Sequence, residues 1–469
     1  MTLLASAAAW LLSTRPGHRI EGDFLEREQA FKADSWLLNQ AVNNTIAEER
    51  ARAALALGRV GGQVAQDRLV KMLRDSAPSV RANAAFGLGL LGDVAYGATP
   101  DSEAAEALLQ RLDDPERNVV AYAVEALGRM RWKAAAVRLT RTPAPLVFTL
   151  TALARIDDER LLPWMGGRLR STDQDIRWAA VVALNRLEAP CAEETQRYMI
   201  NLVTRDQNNF VRAAATRALG RCEPSEEVKT AMGVALGDRD PKVRCEAAAA
   251  IAAWGDPTLT SWLDPLTRDE NPIVQRQALA AAVRLEPGLR ESIEAQIGPL
   301  DFEEAPETPV PTIRSDDQVP DFEPPELQAV ARTQGRQLVI ETTEGELPIE
   351  LDYELAPLAA ERFYRLATAG AFELREVSAL RPNGYVQVAA KEFARQKLVA
   401  QRNQQPFLRG SIGMVPIDGR FDAAEFFIAL TPLPFLDGKA TNVGRLLSGD
   451  DILDKLGTKV RVLAVRRPR

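Results

Sequence analysis

Histidine is almost absent from this chain: one, His18, in 469 residues, and it lies outside any motif. That excludes a Ser-His-Asp triad, a Cys-His dyad and a histidine-rich metal site. Cysteine is scarce too. Cys191, Cys222 and Cys245 have no CxxC spacing and fall in or near alanine-rich helical stretches. They read as buried small apolar residues, with a structural disulfide as the alternative. Long apolar runs are missing. The segment Met1–Leu12 (MTLLASAAAWLL) is too short to span a bilayer, so no membrane span is expected. Its small residues suit signal processing, but no Lys or Arg precedes the apolar run. A processed signal and a plain N-terminal helix therefore stay open, and the compartment tips towards the cell envelope over the cytoplasm. The net charge of −7, with no basic patch standing out, argues against nucleic acid as the main ligand. The length exceeds what one core serves, so two or more domains are expected.

A repeated phrase fills the first 290 residues or so: an acidic or Pro-bearing turn, a Val-Arg pair, then an Ala/Leu run. It reads Ser79-Val80-Arg81-Ala82, Phe210-Val211-Arg212-Ala213 and Lys242-Val243-Arg244-Cys245 in three places. The arginine slot recurs at Arg50, Arg81, Arg177, Arg212 and Arg244. Val120, Phe148 and Gln275 fill it in weaker copies, and successive slots are 28 to 39 residues apart. That period is a two-helix unit. Asp75, Asp114-Pro115, Asp173, Asp240-Pro241 and Asn271-Pro272 supply helix-start chemistry before the slot. Gly58, Gly89, Gly128, Gly220 and Gly255 close the following helix and read as C-caps. One hairpin cannot cover its own apolar face, so neighbours complete the core. The recurring Arg is expected to pair with the Asp of a neighbouring turn. A line of Arg on a partner-binding face is the alternative. Trp132, Trp164, Trp178, Trp254 and Trp262 read as inter-repeat packing, or else as exposed anchors. The pattern resembles HEAT repeats, in the form found in bacterial HEAT and phycobilisome-lyase-like scaffolds. The resemblance implies a protein partner on the solenoid surface.

Composition shifts at residue 299. Seven prolines, among them Pro306, Pro309, Pro324 and Pro325, are interleaved with acidic residues up to Glu326. This suits an extended connector, with Phe302 and Phe322 as local docking points. The expected divisions are 1–43 (N-terminal segment, signal or helical cap), 44–298 (solenoid), 299–335 (linker) and 336–469 (C-terminal domain).

The period then switches to alternation. Gln337–Thr342 and Leu347–Leu351 flank Glu344-Gly345 as a hairpin, and a helix follows Ala356-Pro357. Next come Gly410-Ser411-Ile412-Gly413-Met414, Glu425-Phe426-Phe427-Ile428, Leu436-Asp437-Gly438-Lys439 and Val443-Gly444-Arg445, before a final strand at Val460–Val465. This order resembles the cyclophilin-type peptidyl-prolyl isomerases over about 130 residues. The resemblance implies a multidomain fold: an all-α HEAT-repeat solenoid followed by a closed eight-stranded β-barrel capped by helices.

It also implies rotation about an X-Pro amide, against a barrier of about 18–20 kcal/mol from lost resonance. No nucleophile, metal or cofactor is needed. An apolar pocket grips the Pro ring, and an Arg donor favours the twisted nitrogen. Carried over residue by residue, the pocket floor falls on Met414 and Phe427, and the opening aromatic on Tyr385. Phe435 takes the place of a common Trp, and Leu436 follows. Ala440 stands where His or Tyr is usual, and Glu425 where Gln is usual. The catalytic Arg slot falls on Ala379, and the downstream Gln on Val388, with Gln387 one residue off. Gln387 would serve only if a bulge shifts the register. Arg381, two residues from the slot, is the candidate substitute, and Arg375 lies four before the slot. The expectation is an isomerase-like protein that acts on or binds X-Pro segments of client proteins, with weakened catalysis. The alternative is a non-catalytic HEAT adaptor.

Overall fold

The structure, a computed structural model, describes residues 25, 36–187, 191–297, 324–331, 333, 335–381, 384–390, 397–399, 401–414, 416–417, 420–422, 425–433, 436–456 and 460–468. The segment Met1–Leu12, Phe302, Phe322 and Phe435 lie outside them.

Eight helices succeed one another as the second members of the repeats: α1 (Ala47–Val60), α2 (Pro78–Leu91), α3 (Arg117–Arg129), α4 (Leu146–Ile156), α5 (Gln174–Arg186), α6 (Asn209–Leu219), α7 (Pro241–Trp254) and α8 (Pro272–Leu285). Each packs on the next, so their alanines and leucines form one continuous core. The capping signals operate. Asp240 and Asn271 accept backbone N–H bonds ahead of Pro241 and Pro272 at the first helical positions. All five tryptophans are partly buried against the core. Trp254 donates its indole N–H to the Cys222 carbonyl.

The repeated arginine is consumed inside the array. Arg50 forks onto Asp75 at 2.7 and 2.8 Å, and Arg81 onto Asp114 at 2.8 Å twice. Arg177–Asp206, Arg212–Asp238 and Arg244–Asp269 repeat the geometry. In each case the remaining guanidinium nitrogen donates to the two carbonyls just ahead of its own helix, as Arg81 does to Asp75 and Ser76. The Arg50 hydrogen bond holds the Asp75 carboxyl below its ordinary range. Gln275 imitates the slot by donating to the Thr267 carbonyl.

Two expectations are corrected. Of the five glycines read as C-caps, only Gly255 adopts the left-handed cap, with φ +68°. Gly58, Gly89 and Gly128 lie within helices, and Gly220 follows α6 in right-handed geometry. Their role is close approach. A Cβ on Gly58 would stand 2.5 Å from the Gly87 Cα, and one on Gly128 would stand 2.6 Å from the Ala152 Cα. The cysteines differ as well: Cys191 and Cys222 form a disulfide with a Cα–Cα separation of 5.6 Å, and Cys245 is buried and free.

The linker's end is also more ordered than its composition suggests. Pro324–Ala331 is a helix, α9, whose Leu327 and Val330 are buried in the C-terminal core. That domain comprises β1 (Gln337–Thr342), β2 (Gly345–Leu351), α10 (Pro357–Thr368), β3 (Arg375–Arg381), β4 (Tyr385–Ala389), β5 (Lys397–Val399), β6 (Ser411–Met414), β7 (Pro416–Ile417), β8 (Arg420–Asp422), β9 (Glu425–Ala429), β10 (Thr441–Leu446) and β11 (Arg461–Arg466). Eight strands close an antiparallel barrel in the order β1-β11-β3-β4-β9-β6-β10-β2, and β5-β8-β7 form a side sheet. Phe363, Phe372 and Phe426 contact one another under α10.

Two measurements follow. Gly58→Ala should destabilise the chain by about 1–3 kcal/mol in a denaturant melt, because overpacking outweighs the roughly 1 kcal/mol gain in helix propensity; a stabilised variant would refute the close-approach role. Thiol counting on the denatured, unreduced chain should find Cys245 alone, against three thiols after reduction.

Candidate peptide site on the outer barrel face

Strand alternation sorts the motif residues onto two faces. Val386, Val388, Ile412, Met414, Phe426 and Ile428 point into the barrel core. Tyr385, Phe407, Phe427, Ala429, Leu433, Leu436 and Ala440 form a separate apolar cluster outside it. Met414 therefore differs from its expected place. The residue of β6 opposite Phe427 is Gly413, where a Cβ would overlap the Phe427 ring. Phe427 packs against Tyr385 and Phe407, each with ring centroids 5.2 Å away. Phe407 and Leu433 were missed by the motif reading, because they come from loops that no strand period announces.

Strands β3 and β4 pair with a bulge between Val377 and Ala379. Beyond it Ala379 stands opposite Gln387, and Arg381 opposite Tyr385. Gln387 shares its strand face with Tyr385, pairs across to Phe427 in β9, and donates its amide to Glu425. An amide and a carboxylate thus border the aromatic cluster, while Val388 is buried inside the barrel. Arg375 is engaged elsewhere, donating to the Ala389 carbonyl at 3.0 Å. The Arg381 backbone is described; its side chain lies outside the described residues. The cluster supplies apolar side chains of the kind that line a small ring, each at most 3% exposed, and its border supplies an acceptor for a peptide N–H group. Among the described residues there is no cluster of three or more metal-ligating side chains, and no helix is long and apolar enough to cross a membrane.

The loops beside the cluster meet the solenoid. Arg129, at the end of α3, donates to the carbonyls of Asp437 and Gly438 at 3.0 and 3.2 Å. It also pairs with Glu125 and Asp93. Gly438 has φ +63°, and a Cβ there would overlap the Arg129 guanidinium, so glycine serves both the turn and the contact. Arg59, at the end of α1, donates to the carbonyls of Arg402 and Leu355. Gln404 donates to Asn83 of α2 at 2.8 Å. At the other end of the row, Lys242 pairs with Asp454 at 2.6 Å, and Asn271 donates to the Asp454 carbonyl. A signal for these residues exists in the sequence. Ala-Leu-Gly-Arg recurs at 56–59, 126–129 and 218–221, a second periodic arginine beside the one singled out.

Desolvation raises the Asp437 carboxyl to about 7; the Phe407 N–H opposes this, Glu125 adds to it, and Arg155 and Arg129 oppose it. Desolvation lowers Lys439 to about 8; Asp93 opposes this, while Arg155, Arg186 and Arg129 add to it. The folded chain therefore holds the Asp437 proton where the unfolded chain, ionising near 4, has lost it. This contribution to stability falls as pH rises from about 4 to 7 and is flat above. Asp437→Asn, which keeps an acceptor for the Phe407 N–H, should flatten that part of the profile in thermal melts across this window. A parallel decline in both proteins would contradict the assignment.

Residues 337–468 match the family model for cyclophilin type peptidyl-prolyl cis-trans isomerase/CLD. Residues 35–128, 141–220 and 228–295 match HEAT repeats. A probable peptidyl-prolyl cis-trans isomerase of Brucella suis is 26% identical over 151 residues, covering 28% of this chain and 77% of the relative. Peptidyl-prolyl cis-trans isomerase-like 1 of Rhizopus delemar is 25% identical over 134 residues, covering 26% and 79%. The crystal structure of a Cryptosporidium parvum cyclophilin type peptidyl-prolyl cis-trans isomerase aligns at 18% identity with a TM-score of 0.28, covering 29% of this chain and 99% of that one. The chain belongs to the HEAT-repeat proteins, and its C-terminal domain belongs to the cyclophilin-type peptidyl-prolyl cis-trans isomerases.

Proposed function

We propose that the C-terminal domain binds X-Pro segments of other proteins on the outer face built by Tyr385, Phe427, Leu436 and Ala440, and that it isomerises them slowly. The observation that carries this reading is the β3–β4 register. Ala379 stands opposite Gln387, beside the aromatic cluster, in the slot where the family resemblance puts the catalytic Arg. The apolar cluster and the polar border lie side by side, and the residue at that slot is an alanine, which carries no side-chain donor. A donor aimed at the transition state contributes about a hundredfold to a thousandfold in rate. Without it, ground-state binding of the Pro ring survives while the preference for the twisted amide is reduced. Arg381 remains the candidate substitute, two residues along the same strand. The same substitution favours a second reading, a non-catalytic adaptor that holds Pro-containing segments.

The solenoid then serves as a protein-binding scaffold. The Cys191–Cys222 disulfide supports placement in an oxidising compartment, in line with export to the cell envelope.

Exchange spectroscopy on an X-Pro peptide with the intact chain separates the readings. Slow but measurable acceleration is expected, and Ala379→Arg should raise it by at least ~10-fold. Fast wild-type catalysis that Ala379→Arg leaves unchanged would overturn the weakened-enzyme reading. No acceleration by either protein, with peptide still bound, would establish the adaptor.

A further inference from the structure

Every member of the outer cluster, Tyr385, Phe407, Phe427, Ala429, Leu433, Leu436 and Ala440, is at most 3% exposed. A Pro ring needs open apolar surface, and here there is none on these side chains. Two loops do the closing. One, residues 401–408, brings Phe407 onto Phe427. The other, residues 436–440, brings in Leu436 and Ala440. The loops are tied to each other by the Phe407 N–H, which donates to an oxygen of the Asp437 carboxyl at 2.7 Å.

Both loops are also held from outside the barrel. Arg59 takes the Arg402 carbonyl, and Asn83 receives the Gln404 amide while donating its own to the Ala51 carbonyl. Arg129 takes the Asp437 and Gly438 carbonyls from a position that is itself fully buried. These three residues belong to consecutive inner helices, α1, α2 and α3. The charge-assisted contacts are of the stronger class of hydrogen bond.

We propose that the solenoid gates the barrel's apolar pocket in cis: Arg59, Asn83 and Arg129 hold the two loops closed over Phe427, and a Pro-containing segment enters when those loops leave the solenoid. This rests on the reading of the Phe427 face as the X-Pro site. A closed state reduces apparent affinity by the fraction of molecules that are open. Weakening the solenoid contacts should therefore tighten peptide binding, the reverse of what removing a substrate contact would do.

The test uses the intact chain and two variants. Arg129→Ala removes the central contact but leaves Glu125 and Asp93 without it, a change that endangers folding. Gln404→Ala removes one peripheral bond and keeps the proposal testable if the first variant misfolds. Hydrogen exchange over 401–408 and 433–440 reports loop release, and calorimetric titration with the peptide Ala-Ala-Pro-Phe reports binding. Faster exchange in both loops with at least about tenfold tighter binding for Arg129→Ala, which removes two charged hydrogen bonds to the 436–440 loop, is expected. The smaller effect should come from Gln404→Ala. Unchanged exchange overturns the gate alone. Faster exchange with equal or weaker binding overturns it as well. Released loops with no peptide bound by wild type or variant would refute the X-Pro reading, and the gate with it.

Discussion

The forked Arg–Asp pair between successive repeats is the constraint on which the rest of this molecule depends. Across Arg50–Asp75, Arg81–Asp114, Arg177–Asp206, Arg212–Asp238 and Arg244–Asp269, all ten side chains are at most 16% exposed. Surface pairs are worth little, but these are withdrawn from water, with the remaining guanidinium donors on backbone carbonyls and each carboxylate accepting a backbone N–H. Such a pair contributes modest net stability and a strong orientation. Breaking one strands a charge, at about 3–5 kcal/mol. Each Arg is anchored to its own turn and to the next, so the angle between neighbours has little freedom.

That angle, repeated, sets the course of the row. Eight helices spaced by about 9 Å form a row of roughly 60 Å. A barrel domain of this length measures about 35 Å across. One barrel nonetheless touches Arg59 on α1 and Lys242 and Asn271 at α7 and α8. Only a curved row permits both. Ile273 packs against the solenoid core and the barrel core together, so the seat at that end has an apolar element as well as a charged one. The resulting picture differs from a recruiting arm joined loosely to an enzyme. The array is in contact with the chain's own second domain, and the loops it touches include those that bound the candidate site.

The parts legible in the sequence are those encoded by a local period. The Arg slot, its Asp partners, the Asp240 and Asn271 caps and the barrel motifs each need only a few neighbouring residues. The misread parts depend on something distant. Gly58 and Gly128 look like C-caps because a glycine that admits a neighbouring helix has the same local setting as one that ends its own. Met414 reads as the floor of the Pro pocket and lies in the barrel core, since one residue of strand parity separates it from Gly413, the partner of Phe427. Gln387 was excluded from the strict register, and a bulge at Val377–Ala379 is what places it opposite Ala379. Arg129 belongs to a visible Ala-Leu-Gly-Arg phrase, but only the barrel's presence distinguishes it from an ordinary helix-end arginine.

The central claim is that the barrel is seated in the arc of its own solenoid and held at both ends. Zero-length carbodiimide coupling of the intact chain, read by peptide mass spectrometry, tests it most directly, because that chemistry joins an amine and a carboxylate only when they touch. The account predicts an isopeptide between Lys242 and Asp454, whose nitrogen and oxygen are 2.6 Å apart. Coupling within each domain, with no Lys242–Asp454 product, would contradict it.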